Sequence, residues 1–224
     1  QTGNLVPADK KIYALRDVTG TVGHLSLIAS SIMSKKLASG ADGIVIDLKV
    51  GDGAFIKNIA DAEKLAHMMI KTANSMQKPL SAILTSMQQP LGNAIGNALE
   101  IKEAIEVLNG GGPKDLYYVT LALATEMLLL SGKYADEHSA KHKLQEILQN
   151  GQAFEKCLEW VKWQGGDVRT LENPELLPGY RFKFDYLAKK SGYIHSIKAS
   201  SLGLASMKLG AGRERKDDVI DLGA

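Results

Sequence analysis

The sequence predicts an α/β fold in which helices surround a parallel sheet. Short β-branched runs alternate with longer segments whose apolar residues recur at helical spacing. The runs Ile44–Val50 and Pro79–Thr85 flank an amphipathic segment, Asp61–Met76. A strand, a helix and a second strand in succession favour a βαβ unit, whose two strands are parallel. A tight glycine turn at Gly51–Gly53 closes the first strand.

Each remaining element has its own signal in the sequence. Leu25–Lys36 has apolar residues at helical spacing, and the glycine-containing segment Ser39–Gly43 ends it. Further helices are predicted at Ala94–Leu108, Lys114–Leu130, Glu137–Gln149 and Gln152–Trp163. The character of the chain changes near Pro178, beyond which short strands are predicted at Arg181–Leu187 and Tyr193–Ala199. We therefore expect a partial second domain after this boundary.

The composition is that of an ordinary globular protein, and 224 residues suffice for one large domain or two small ones. Lys and Arg number 27 against 25 Asp and Glu, and both signs are scattered. This balance gives no electrostatic argument for a nucleic acid or a membrane surface as partner. The single cysteine, Cys157, cannot form an internal disulfide.

The sequence shows no signal peptide and no apolar run long enough to cross a membrane, so a cytoplasmic location is expected. The chain begins at Gln1 without a methionine and stops at Ala224 in a glycine-rich, charged segment. We therefore expect it to be a piece of a longer protein.

The candidate site is a group of polar side chains near the amino end. Ser31 and Lys35 lie four residues apart in a predicted helix and so share one face, and Arg16 precedes them. A hydroxyl, an ammonium and a guanidinium together can hydrogen-bond the edge of a small heterocycle such as a pyrimidine. The alternative from the residues alone is a solvated helix face, with Arg16 paired to Asp17 or Asp47.

Several motifs, in order, resemble those of one enzyme family: PADKKIYALRDVTGTV, SLIASSIMSKKLASGADGIVIDLKVGDGAF, QQPLGNAIGNALE and LGAGRERKDD. They are similar to the middle and later parts of the pyrimidine-nucleoside phosphorylases, relatives of thymidine phosphorylase. The resemblance covers essentially the whole chain. It implies a glycosyltransferase with inorganic phosphate as co-substrate, which converts uridine, thymidine or deoxyuridine to free base and pentose 1-phosphate.

The resemblance also implies a homodimer and a domain layout. Residues 1–41 would belong to an all-helical domain, residues 42–178 to the α/β domain, and residues 179–224 to the start of a C-terminal α+β domain. The family's early segment, with its phosphate loop, has no counterpart here. We therefore assign no catalytic residue and expect the chain not to turn over substrate by itself.

Carried over position by position, the resemblance assigns Arg16, Ser31 and Lys35 to base binding. It also implies that apolar and aromatic side chains surround the base, namely Tyr13, Val22, Ile28 and Phe55. Without the resemblance, the apolar positions are more simply ordinary core residues.

Two charged residues near these positions have no assigned role in binding. Asp9 matches a recurring acidic position of the family, and the simpler interpretation is a buried carboxylate held by Lys10 or Lys11. Lys36 is interpreted as a surface charge or as a charge just outside the residues that would contact the base.

The resemblance further implies a potassium site. Its ligands would be the backbone carbonyls of Leu91 and Ala94 and the carboxylate of Glu103, since hard cations prefer oxygen ligands. The alternative is simple helix capping after Pro90, with Glu103 on a solvated face opposite Lys102.

Two other functions stay open at this point. One is a related phosphorylase that acts on nucleoside monophosphates, which a comparison of uridine with its 5′-phosphate would distinguish. The other is a non-catalytic base-binding or dimerisation module, which would bind uracil at best.

Overall fold

The structure is a computed structural model, and it describes residues 5–215 and 217–224. The elements in order are α1 (Pro7–Val18), α2 (Leu25–Ala38), β1 (Ile44–Val50), α3 (Ile59–Ser75), β2 (Leu80–Ser86), α4 (Asn97–Leu108), α5 (Lys114–Leu130), α6 (Glu137–Gln149), α7 (Gln152–Trp163), α8 (Arg169–Glu172) and α9 (Ala199–Ser206). A 3₁₀ turn at Pro174–Leu176 follows α8, and a π-type turn at Met207–Ala211 follows α9.

The chain divides into two compact units. The first consists of Gln1–Ser86 with Ala122–Ala140, and the second of Met87–Leu121 with Lys141–Ala224. The first unit contains β1 and β2, which pair in parallel along their whole length. Because α3 connects them, the predicted βαβ unit is confirmed. The helices outnumber the strands, so the α/β class holds with a small sheet among the described residues.

The core of the first unit lies between this sheet and the helices α2 and α3. Alternate residues of β1 point into it, and they are Ile44, Ile46 and Leu48. Met69 of α3 and Met33 of α2 are almost completely buried against them. The start of α3 is fixed by Asn58, whose side chain accepts a hydrogen bond of 2.9 Å from the backbone N–H of Asp61.

Several predicted elements are confirmed at their exact bounds: β1, α5, α6 and α7. In contrast, α4 begins at Asn97 rather than at Ala94, because the preceding residues form a loop around a buried carboxylate. In the described part of the chain, residues 91–96 contain no helix.

The strands predicted at Arg181–Leu187 and Tyr193–Ala199 are wrong. The backbone there forms no strand in the structure, and Ala199 is the first residue of α9. The aromatic side chains of the segment are exposed, and they include Phe184 and Tyr186. An extended segment forms a stable strand only when a neighbouring strand takes its backbone hydrogen bonds, and none does so among the described residues.

Two other expectations concern the chain as a whole. The domain boundaries at residues 41 and 178 stay a prediction, because the compact units of the structure are not defined in the same way as the domains of a protein family. In the described ranges, no helix combines the length and the apolar character that crossing a bilayer would need.

Two neighbouring methionines of α3 test where the core lies. Met69 is fully buried, whereas Met68 is 38% exposed. We expect Met69→Ala to lower the free energy of unfolding by about 2–5 kcal/mol, because it leaves a cavity. Met68→Ala is the matched control and should cost clearly less. Urea unfolding followed by circular dichroism measures both, and equal losses would contradict this packing.

Candidate functional site

A small cavity lies beside α1 and α2 in the first unit. It encloses about 160 Å³, and its lining residues are Tyr13, Arg16, Val22, Ile28, Ser31, Ile32 and Phe55. These include every predicted site residue of this region except Lys35, whose Nζ lies 3.0 Å from Ser31 Oγ. The volume is below the range of drug-sized pockets, so the cavity suits one small ring.

Arg16 forms one wall of the cavity. It lies in the last turn of α1 and is 4% exposed. Its guanidinium donates to two backbone oxygens of the following segment, those of Val22 and, at 3.2 Å, Leu27. The Cζ of Arg16 lies 5.2 Å from the ring centroid of Tyr13, within cation–π distance. Among the described residues, nothing accepts a hydrogen bond from Arg16 Nε, which is a buried donor with almost no accessible surface.

Ser31 and Lys35 are both held by Asp9. The Oγ of Ser31 donates to Asp9 Oδ2 at 3.1 Å, and the ammonium of Lys35 pairs with the same oxygen. Lys35 also donates to the backbone oxygen of Ser31 at 2.9 Å and to its Oγ. Asp9 is buried, as expected, but its partners are these two residues rather than Lys10 or Lys11.

The electrostatics of Asp9 follow from these contacts. Burial acts to raise the pKa of its carboxyl group. The hydrogen bonds from Lys35 and Ser31 and the positive charges of Lys35 and Arg16 outweigh burial, and the pKa is lowered. Asp9 is therefore an anion at neutral pH that keeps two cations close to the cavity.

The alternative that pairs Arg16 with Asp47 is wrong. Asp47 accepts a hydrogen bond from the hydroxyl of Thr85, and its other oxygen lies 2.8 Å from the Nζ of Lys49. The side chain of Asp17, the other predicted partner, lies outside the described part of the structure.

One lining residue was missed by the sequence analysis. Ile32 lies four residues after Ile28, and Ser31 and Lys35 share the same spacing, so all of them occupy one face of α2. The signal was therefore present in the helical periodicity. Position alone could not show that this face borders a cavity.

A second candidate site lies in the second unit, around Glu103 of α4. Its carboxylate is buried, and Oε1 accepts the backbone N–H groups of Asn93 at 2.8 Å and Ala94 at 3.0 Å. The solvated-face alternative for Glu103 is therefore wrong. The loop before α4 is also held by Asp115, whose Oδ2 accepts the N–H of Gly92 at 3.0 Å.

The oxygen atoms of Glu103 and of the loop backbone are the kind of ligand that a hard cation prefers. A Cβ added at Gly92 would lie 2.2 Å from Glu103 Oε2, so the glycine leaves room for the carboxylate. The described residues contain no group of three or more His, Cys, Asp and Glu side chains that could hold a metal. A cation here would thus depend on the single carboxylate and on backbone carbonyls such as those of Leu91 and Ala94.

Comparison with known proteins supplies the family. A family model described as "Glycosyl transferase family, a/b domain" matches residues 1–154, and one described as "Pyrimidine nucleoside phosphorylase C-terminal domain" matches residues 193–224. The chain belongs to the pyrimidine-nucleoside phosphorylase family.

Similar proteins from three staphylococci are named pyrimidine-nucleoside phosphorylase. The Staphylococcus epidermidis protein is 52% identical over 223 residues, which cover 100% of this chain and 52% of the relative. The Staphylococcus haemolyticus protein is 52% identical and the Staphylococcus aureus protein 53% identical, each over 99% of this chain and 51% of the relative. The chain thus spans about half the length of these phosphorylases.

The lowered pKa of Asp9 predicts a pH-dependent stability. A carboxyl group with a lowered pKa in the folded state stabilises that state above its ordinary pKa of 3.8, and the contribution is lost as the pH falls through the lowered value. Asp9→Asn should therefore cost about 1.5–3 kcal/mol at pH 7 and progressively less below pH 4. Thermal unfolding at a series of pH values measures this difference.

The control for this series is Asp42→Asn. The carboxylate of Asp42 is fully exposed and lies 3.8 Å from Lys78. Exposed pairs contribute little, so this variant should follow the wild-type curve. A difference between Asp9→Asn and wild type that stays constant down to pH 2 would contradict the role of the Asp9 carboxylate.

Two glycines with the same backbone conformation test the loop around Glu103. Gly92 has φ +74° and Gly40 has φ +76°, but only Gly92 has atoms within 4 Å of an added Cβ. Gly40→Ala should cost the roughly 1–2 kcal/mol of a left-handed alanine, and Gly92→Ala clearly more. Urea unfolding midpoints measure the loss of stability in both variants. Equal losses would show that Gly92 does not lie tightly against Glu103.

Proposed function

We propose that the protein containing this chain is a pyrimidine-nucleoside phosphorylase that converts uridine, thymidine or deoxyuridine, with inorganic phosphate, to free base and pentose 1-phosphate. The observation that carries the proposal is the cavity in which Arg16 and Ser31 meet, with the ammonium of Lys35 against Ser31. Membership of the family and the names of the similar staphylococcal proteins support it.

The residues around the cavity explain how such a reaction would be accelerated. When the glycosidic bond breaks, the base leaves with negative charge on its ring nitrogen and carbonyl oxygens. The guanidinium of Arg16 at the cavity wall and the ammonium of Lys35 beside Ser31 are fixed positive charges that would stabilise this negative charge. They would bind the leaving base more tightly than the neutral substrate, which is the condition for catalysis.

The remaining lining residues would hold the base in its plane. Val22, Ile28 and Ile32 supply apolar surface, and the rings of Tyr13 and Phe55 supply flat faces. Phe55 is largely exposed in this structure, so a bound ring would cover part of it.

Other parts of the proposal come from the family resemblance alone. They are the homodimer, the cytoplasmic location, the domain layout and a potassium ion held by Leu91, Ala94 and Glu103. When bound, potassium would neutralise the Glu103 carboxylate and steady its loop. The phosphate ligands would lie in the part of the family's length that this chain does not span, so the chain alone would be inactive.

Phosphorolysis by the full-length protein tests the function. Release of base from uridine or thymidine should require phosphate and should yield pentose 1-phosphate in equal amount. Faster reaction with uridine 5′-phosphate would instead indicate a nucleoside-monophosphate phosphorylase. Binding of uracil without any cleavage would indicate a binding module and would overturn the proposal.

Two neighbouring lysines of α2 test the role of the cavity. Lys35→Ala should lower kcat/KM for uridine about 10²–10³-fold, because it removes a preorganised positive charge, which we expect to be worth roughly 2.7–4 kcal/mol of barrier, as for a donor to a developing anion. Lys36 is exposed, and Lys36→Ala is the matched control that should keep wild-type activity. Full activity of Lys35→Ala in steady-state assays would exclude this lysine from the mechanism.

A further inference from the structure

Phe55 is the lining residue of the cavity that lies outside α1, α2 and their connection. Its side chain is 80% exposed, so packing of the ring against neighbouring side chains contributes little to its position. The ring is kept at the cavity only if the backbone of its own loop, residues 51–57 after β1, is held in place. The hydrogen bonds of this loop therefore decide how Phe55 meets a ligand.

A backbone hydrogen bond joins the two ends of the loop. The N–H of Gly51 donates to the oxygen of Ile56 at 2.9 Å, and the N–H of Ala54 donates to the oxygen of Gly51 at 3.0 Å, which forms a tight turn. Ile56 is 7% exposed and belongs to the core of the first unit. Residues 52–55 thus project between two fixed ends.

Lys57 adds a side-chain contact across this loop. Its ammonium donates to the backbone oxygen of Asp52 at 2.7 Å, and so ties the first projecting residue to the chain that follows Phe55. A charged donor forms a stronger hydrogen bond to a carbonyl oxygen than a neutral donor does. Lys57 is exposed and does not line the cavity. It can therefore affect a ligand through the loop or through its charge, and these two routes can be separated.

Lys64 of α3 provides a comparison. Its Nζ lies 3.2 Å from Oδ1 of Asp61, one turn earlier in the same helix, and its side chain is largely exposed. Exposed pairs of this kind contribute little to stability. Lys57 differs from Lys64 because its partner is the backbone of a loop that carries a cavity residue.

We infer that Lys57 is a positioning residue that holds residues 52–55 so that the Phe55 ring faces the cavity and covers one side of a bound base. The inference rests on the proposed function, since it assumes that the cavity holds a pyrimidine. An apolar ring would touch the base before and during bond breakage, and so would bind substrate and transition state about equally. Loss of the Lys57 contact should therefore raise KM and leave kcat almost unchanged.

The experiment uses the full-length protein and the variant Lys57→Met, which nearly keeps the side-chain length and removes the ammonium. KM for uridine and the dissociation constant of uracil, measured by calorimetry with phosphate present, should both rise about 3–10-fold, because a hydrogen bond that orders the loop is lost. Lys57→Arg keeps a charged donor and should retain most of the affinity. Lys64→Met is the matched control and should keep wild-type values.

A double variant separates the loop from the charge. In a Phe55→Ala background, Lys57→Met should have no further effect on KM for uridine or on uracil binding, because the ring that Lys57 positions is gone. An effect that persists in this background, or a raised KM for phosphate alone, would show that the charge of Lys57 attracts a substrate directly, and would overturn the inference. A fall in kcat with unchanged KM would overturn it as well.

The function on which the inference rests is tested separately by the wild type. Wild-type KM in Lys57→Met, or undiminished uracil binding by Phe55→Ala, would overturn the role of Lys57, while uridine cleavage by the wild type would still uphold the function. A wild-type protein that neither binds uracil nor cleaves uridine would overturn both.

Discussion

The cavity depends on the ion pair between Asp9 and Lys35. Helix α1 buries little apolar surface, since many of its large side chains are exposed, among them Ile12, Tyr13 and Leu15. Its attachment is therefore mainly polar. Asp9 in the first turn contacts Ser31 and Lys35 of α2, and Arg16 in the last turn contacts backbone oxygens of the following segment. Both ends of α1 are thus fixed by buried charges, and the cavity lies between these two attachments.

Much of the fold could be predicted because it is local. The β-branched run of β1 and the helical spacing of α5, α6 and α7 give these elements their exact bounds, since periodicity within one segment decides them. The start of α4 could not be predicted, because it depends on a carboxylate six residues inside the helix that binds the preceding loop. The predicted strands after Pro178 are wrong for a related reason. Their alternating pattern is present, but a strand also needs a neighbour to pair with.

In the candidate site, too, local features could be predicted from the sequence and contacts between distant residues could not. The positions of Arg16, Ser31 and Lys35 were available from the family resemblance, and the shared face of Ser31 and Lys35 from helical spacing. The partners of Asp9 could not be predicted from the sequence, because its contacts with Ser31 and Lys35 span 22 and 26 residues. Lys10 and Lys11 follow Asp9 directly in the sequence and suggest a local ion pair. In the structure, Asp9 pairs with Lys35 instead. Pairings of this kind follow from how helices pack, which a single sequence does not reveal.

Arg16 serves two purposes at once. Its guanidinium closes the segment between α1 and α2 by donating to the oxygens of Val22 and Leu27, and the same residue lines the cavity. A lysine at this position would carry the charge but not the planar fork that reaches both oxygens. If the cavity binds a base as proposed, a substitution of Arg16 would change both ligand binding and the connection between α1 and α2. Natural selection or engineering that alters recognition at this wall must also rebuild the connection between the two helices, which narrows the set of tolerated sequences.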